Sequence, residues 1–216
     1  MASTSNPLIG KASGSVGGVT MSSWKGINVI KSKPTSVANP QSDKQMDRRN
    51  ALAAVVVIFR LVVSAVNAGF KSLAVKQSPY NAFSSYALKN AFTYAGTGTP
   101  TLIPANFKFS KGSIADTSIS TVVVANADAT VTVTFPTTAT GASQSASDLA
   151  ILVAYNEDND EWFGELTSAA RSTGTASIEL PSACSTDDTV HVFLGFTSSN
   201  GSLQSDSIHD SAVVGA

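Results

Sequence analysis

Two histidines and one cysteine are all the imidazole and thiol groups that this 216-residue chain offers. A lone cysteine, Cys184, excludes an intrachain disulfide and any cysteine-only metal cluster. It follows Pro181-Ser-Ala in a turn with no base written beside it, so it reads as a structural thiol rather than a nucleophile. His191 and His209 lack a second pair at ligand spacing. They alternate with the core-facing residues of their strands and are expected on exposed faces. No metal, cofactor or catalytic residue is expected, and the chain reads as a non-enzyme.

Charge is also scarce. Only 13% of residues are Asp, Glu, Lys or Arg, about half the usual ~25%. Ser, Thr, Ala and Gly fill the gap, a composition suited to a β-rich subunit whose surface is covered by neighbours. The first residues lack the basic and apolar regions of a signal peptide. The apolar run 51–66 falls short of the ~20 residues of a membrane helix and carries Arg60 near its middle. A buried helix is expected there, with no membrane partner. The protein would be made in the cytoplasm and end in a virion or extracellular particle.

The charges that are present are sorted along the chain. Residues 1–110 hold twelve of the fourteen Lys and Arg and two acids, Asp43 and Asp47. Residues 111–216 hold thirteen acids against Lys111 and Arg171. Such asymmetry fits head-to-tail self-assembly, or a basic arm aimed at an acidic partner.

The pattern predicts an α+β chain in four segments. Residues 1–40 form a glycine-rich β-hairpin arm. Gly14, Gly17 and Gly18 lead into Val19–Ser23, Trp24-Lys25-Gly26 turns, and Ile27–Lys33 returns. Residues 41–95 form a helical anchor. Ser42 with Gln45 reads as a capping box for a long helix that is apolar on nearly every face and needs partners. Ser78-Pro79 opens a second helix, with Tyr80, Phe83, Ala87 and Ala91 as its apolar stripe. Residues 96–105 read as a Gly/Pro linker. Residues 106–216 read as an all-β immunoglobulin-like or fibronectin-III-like sandwich. Its strands are expected at 106–111, 118–125, 130–135, 149–155, 161–166, 175–180, 189–197 and 203–209, with Asn200-Gly201 as a hairpin turn.

Few clusters suggest chemistry. Glu157, Asp158 and Asp160 in the loop 156–161 could supply oxygens to calcium, but no EF-hand glycine is present and strands flank the loop. A solvated hairpin tip is the simpler reading. Gly14-Ser-Val-Gly17-Gly18 lacks the Lys-Ser/Thr of a phosphate loop. The basic set Lys25, Lys31, Lys33, Lys44, Arg48 and Arg49 could meet phosphates, yet no recognition module accompanies it. Docking on acidic protein is the preferred reading, ahead of a plain solvated face and of nucleic acid.

Several motifs resemble a Bacteroidota family labelled only as a domain of unknown function (6266). They are Gly14-x-x-Gly17-Gly18-Val19, Trp24-Lys25-Gly26-x-Asn28-Val29-Ile30-x-Ser32-Lys33-Pro34 and Asn39-Pro40. Further on come Asn90-Ala-Phe92, Phe109-Ser-Lys-Gly112, Ala170-Arg171 with Gly174, and the ending from His191-Val-Phe193 to Ser205-x-Ser207. Where that family shows a run of Gln and Arg after Asn-Pro, this chain has Gln45-Met-Asp-Arg-Arg49 and an unusually apolar helix. The Trp-Lys-Gly hairpin followed by Asn-Pro also looks like the N-termini of several phage virion-associated proteins.

Together these readings predict a structural subunit of a large assembly, of the phage or phage-like virion kind. Its partners would be copies of itself or other virion proteins, with no small-molecule substrate. The alternatives are a secreted or cell-surface filament or adhesin subunit, and a nucleic-acid-contacting protein using the basic half. Expected interaction residues are Trp24, Lys25, Ile27, Val29, Ile30, Lys31 and Lys33 in the hairpin. Those in the helix are Arg48, Arg49, Val55, Ile58, Phe59 and Val62.

Overall fold

Gly17-Gly18 reverses the chain between β2 (Gly14–Val16) and β3 (Val19–Trp24), with Val16 paired to Val19 and Gly17 at a φ of 56°. The computed structural model describes residues 2–4, 13–25, 27–36, 39–125 and 129–214. A second reversal at Lys25, whose φ is 48°, leads into β4 (Ile27–Ser32) and pairs Trp24 with Ile27. Gly26, expected in that turn, lies outside the described residues. With β1 (Ala2–Thr4) the four strands order as β1-β4-β3-β2, all neighbours antiparallel. The expected two-stranded arm is thus the centre of a four-stranded sheet. This sheet belongs to one compact unit, Met1–Gln41; the second unit is Ser42–Ala216.

The second unit opens with α1 (Asp43–Leu61). Ser42 is its N-cap, but the expected capping box does not close: Gln45 and Met46 donate their backbone N–H groups to the Ser42 carbonyl, and no side chain caps the end. The long helix is also interrupted. Val62 leaves helical geometry (φ −118°, ψ 29°), and α2 (Val63–Gly69) departs at 95°. The β-branched residues here hold a helix less firmly than straight side chains. The break places Val62 wholly inside the core, while its N–H still reaches the Ile58 and Phe59 carbonyls. Among the described residues no single helix is long and apolar enough to cross a membrane, while this bent pair together passes by length and composition. Then α3 (Pro79–Asn90) begins as expected, with the Ser78 hydroxyl accepting from Asn81 N–H at 3.2 Å. Phe83, Ala87 and Ala91 are buried, and Tyr80 meets Phe59 edge-on at 4.8 Å.

Residues 96–105 do not separate two domains. β5 (Phe92–Thr93) pairs with β6 (Thr101–Leu102), and the loop between is tied back to α1. Gly96 N–H donates to buried Asp47 at 2.7 Å, and Asn50 donates to the Gly98 carbonyl at 2.7 Å. Gly96 and Gly98 both have positive φ, which lets the loop fold this closely.

The β region contains β7 (Thr121–Ala125), β8 (Thr130–Thr134), β9 (Leu149–Asn156) and β10 (Glu161–Ala170). β11 (Thr175–Glu179), β12 (Thr189–Thr197) and β13 (Ile208–Val213) complete it. They pair as two antiparallel sheets, β11-β8-β7 and β10-β9-β12-β13. Two of the expected strands differ. Residues 107–113 are not a strand, although Phe107 and Phe109 are buried. The last strand starts at Ile208 rather than Leu203, after isolated bridges from Gln204 to Thr197 and from Ser205 to Ile114.

Alternation divides the β9–β12 residues between two cores. Ala150, Leu152, Ala154, Val190, Val192, Leu194 and Phe196 face Val131, Val133, Ala176 and Ile178 of the other sheet. Ile151, Val153, Tyr155, Trp162 and Phe193 join the helices' core instead, with Val55, Val62, Phe70, Phe83, Phe107 and Phe109. The helices therefore cover the outer face of a sheet whose inner face is already used. Helices and β region share a core and belong to one compact unit.

Candidate interaction surface

The expected interaction residues fall into two groups in different units. Trp24 ends β3, Lys25 makes the turn, Ile27, Val29, Ile30 and Lys31 lie on β4, and Lys33 follows it. The Trp24 side chain lies outside what is described. Ile27, Lys31 and Lys33 are exposed, and Val29 and Ile30 half-buried. Among the described residues of this sheet none is buried, and Val16 is 71% exposed.

The helical group is corrected by burial. Val55, Ile58 and Val62 are buried at 0%, 5% and 0% exposure in the chain's own core, so they are not a face awaiting a partner. α3 and the outer face of the large sheet cover them, which sequence spacing alone did not reveal. Phe59 is half-buried against Tyr80. Arg48 lies 3.5 Å above the Tyr94 ring and points a donor at the Leu88 carbonyl, an internal cation–π contact. Arg49 is exposed on α1.

What α1 does offer outward is Val57, Leu61 and Leu52, respectively 57%, 47% and 43% exposed. Val57 and Leu61 form the lip of a groove of about 490 Å³, a size that holds a drug-sized ligand or a few side chains. Ala54, Phe92, Leu102 and Trp162 line it, and Asn50 and Asp160 add polar atoms. Its floor is rigid. Trp162 stacks on Tyr155 at 4.1 Å and 18° between planes, and Phe92 is registered opposite Leu102. No short motif announces this groove, because its walls come from α1, the β5–β6 hairpin and the β9–β10 turn.

The acidic loop 156–161 is the tip of the β9–β10 hairpin, as expected. The Asn156 side-chain oxygen accepts from the N–H groups of Asp158 and Asn159, closing the turn. Glu157, Asp158 and Asp160 turn to three different partners instead of converging on a cation. Glu157 meets His191 at 3.2 Å, Asp158 accepts from Thr189 N–H at 2.8 Å, and Asp160 accepts from the Tyr155 hydroxyl at 3.2 Å. Burial first, then the Asp160 carboxylate, pushes the Tyr155 hydroxyl up to about 12. Among the described residues, no group of three His, Cys, Asp or Glu side chains gathers as metal ligands.

The histidines are not simply exposed. They are partly buried, and His191 Nδ1 lies 3.0 Å from His209 Nε2 while His191 Nε2 reaches Glu157. With both rings neutral, only one proton arrangement satisfies these contacts: His209 Nε2–H donates to His191 Nδ1, and His191 Nε2–H donates to Glu157. Burial, then the neighbouring His191, lowers the His209 pKa. Cys184 is buried, accepts a weak contact from Asn156 at 3.8 Å, and has its thiol pKa raised by burial and then by Asp188.

The Ser42–Ala216 unit is an α+β fold that carries this groove, and in the Met1–Gln41 sheet no residue is buried among those described. The chain belongs to a family of unknown function, DUF6266, whose profile matches residues 11–210. No curated protein and no solved structure matches it.

Proposed function

We propose that the chain is a structural subunit of a large assembly, of the phage or phage-like virion kind, held there through its N-terminal sheet. The observation that carries this reading is the lack of any buried residue among the described residues of that sheet. A sheet must bury one face to be stable, and a few strands alone in water are marginal. Val16, Val19 and Ile27 remain exposed, so the missing cover is supplied by a partner.

The β region is read as an immunoglobulin-like or fibronectin-III-like sandwich. Supporting this, three strands, β7, β8 and β11, face four, β10, β9, β12 and β13, across one shared core. Such a unit serves as the displayed body of the subunit. The sorted charges and the Trp-Lys-Gly hairpin with its likeness to virion proteins agree with this placement in a particle.

Sedimentation of the full chain beside residues 42–216, at low and high salt, tests the reading. The shorter piece keeps both cores and stays a monomer. The full chain forms defined oligomers that weaken with salt. A full chain that remains monomeric at every concentration would overturn self-assembly.

A further inference from the structure

The acidic β9–β10 tip, which gives Asp160 to the groove, and the basic sheet are complementary, and they lie on one polypeptide. We propose that the N-terminal sheet of one copy seats in the α1 groove of a second copy. Its turn end meets the apolar floor and its lysines meet the acidic hairpin tip. This rests on the assembly reading above and names the partner that reading leaves open.

The donor face follows from register. Ile27, Val29, Lys31 and Lys33 alternate onto one side of the β4 segment. That side is apolar at the turn and basic away from it, with Lys31 ~13 Å from Ile27 at ~3.3 Å per residue. The acceptor has the same division. Val57, Leu61, Phe92 and Trp162 give the lining its apolar part and Asp160 its acid, with Glu157 and Asp158 exposed on the same turn. Asp158 and Asp160 are fixed by hydrogen bonds before any partner arrives, so little ordering is lost on docking. Charge then sets encounter and register, while the apolar contact holds the complex.

A second copy is favoured as occupant because both halves of the charge pattern belong to the same chain. Donor and acceptor are different surfaces, so the contact is heterologous. Repeated, it builds a ring or a filament, which is what an assembly subunit requires.

Engineered disulfides read this contact directly. In full chains carrying Cys184→Ala, Ile27→Cys is placed in one population and Leu61→Cys in another, and folding is checked by circular dichroism. Mixing under mild oxidant gives a cross-linked dimer that neither population gives alone. Replacing Leu61→Cys by Val123→Cys, exposed on the other sheet, gives at least tenfold less. Asp160→Lys weakens the contact, and Lys31→Glu with Lys33→Glu restores it. Defined oligomers without the specific cross-link would overturn the groove assignment and leave the assembly reading intact. A strictly monomeric chain would overturn both, and so would an Ile27→Cys/Leu61→Cys chain that only closes on itself.

Discussion

The Arg171 guanidinium lies 3.6 Å from the Asp148 carboxylate and 3.8 Å above the Phe196 ring, with both charged side chains at most 1% exposed. The pair joins the turn before β9 to the 3-10 turn after β10, Arg171–Thr173, whose N–H groups bind the same segment. Arg171 N–H donates to the Asp148 carbonyl, and Ser145 N–H to its carboxylate. Removing one partner leaves the other charge buried alone. Asp148→Ala is therefore expected to cost about 3–5 kcal/mol of stability. The double change Asp148→Asn with Arg171→Met removes both charges and is expected to cost less. Urea unfolding of the two variants decides; equal losses would mean that the charges do not act as a pair.

The His191–His209 contact predicts an acid limb in stability. A histidine whose folded pKa lies below its unfolded value of about 6.5 stabilises fully above that value. The contribution is lost as pH falls through the lowered folded pKa, because the unfolded chain takes the proton first. The surroundings agree: Asp210 favours the charged ring, while burial and the adjacent His191 outweigh it. His209→Gln is expected to flatten the melting temperature below pH 6.5. An unchanged slope would place the acid sensitivity elsewhere.

Tyr155 predicts the opposite limb. Its folded pKa of about 12 exceeds the unfolded 10.0, so the neutral phenol is favoured by folding. Stability is complete below pH 10 and declines as pH rises through 12. Tyr155→Phe removes this alkaline decline together with the hydrogen bond to Asp160. Denaturant midpoints between pH 9 and 12, with Trp162 fluorescence as the probe, separate the variant from the parent. Parallel curves would show that the phenol is not the responsible group.

Local signals in the sequence carried far, and long-range ones did not. The Ser78-Pro79 cap and the alternation in β8, β11 and β12 stand in the fold as the residue pattern implies. The run 51–66 is helical, but being apolar on nearly every face it gave no sign of the bend at Val62. Phe107 and Phe109 alternate like a strand, yet they stack on each other at 5.5 Å and 11° beneath α3 and Trp162. Period two reports which side chains share a side, not whether a neighbouring backbone will pair. The groove was illegible because residues 54, 92, 102 and 162 meet only after folding. Val55, Ile58 and Val62 were legible as buried, but not as covered by the chain's own α3 and large sheet rather than by a partner.

The motif segments Phe109-Ser-Lys-Gly112 and Ser205-x-Ser207, far apart in sequence, clasp each other. Phe109 N–H donates to the Ser207 hydroxyl at 3.0 Å, Ser207 N–H to the Ser110 carbonyl at 2.9 Å, and the Ser110 hydroxyl to the Ser205 carbonyl at 2.7 Å. Asp206 sits between Lys108, Lys111 and Gly112 N–H; burial raises its pKa, but these partners outweigh it and hold it below the ordinary value. The glycine is required by space, since a Cβ on Gly112 would run into the Gln204 carbonyl. Backbone cannot yield as a flexible side chain does, so Gly112→Ala is expected to cost about 1–3 kcal/mol. Gly18→Ala, with open space around it and no positive φ, serves as the silent control. Asp206→Asn tests the electrostatic half: the parent loses stability as pH falls below the carboxylate's unfolded value, and the variant loses less. Thermal melts of the three variants from pH 7 to pH 3 separate the steric from the charged contribution. Equal effects of Gly112→Ala and Gly18→Ala would mean that the clasp tolerates a side chain and that close packing does not explain the glycine.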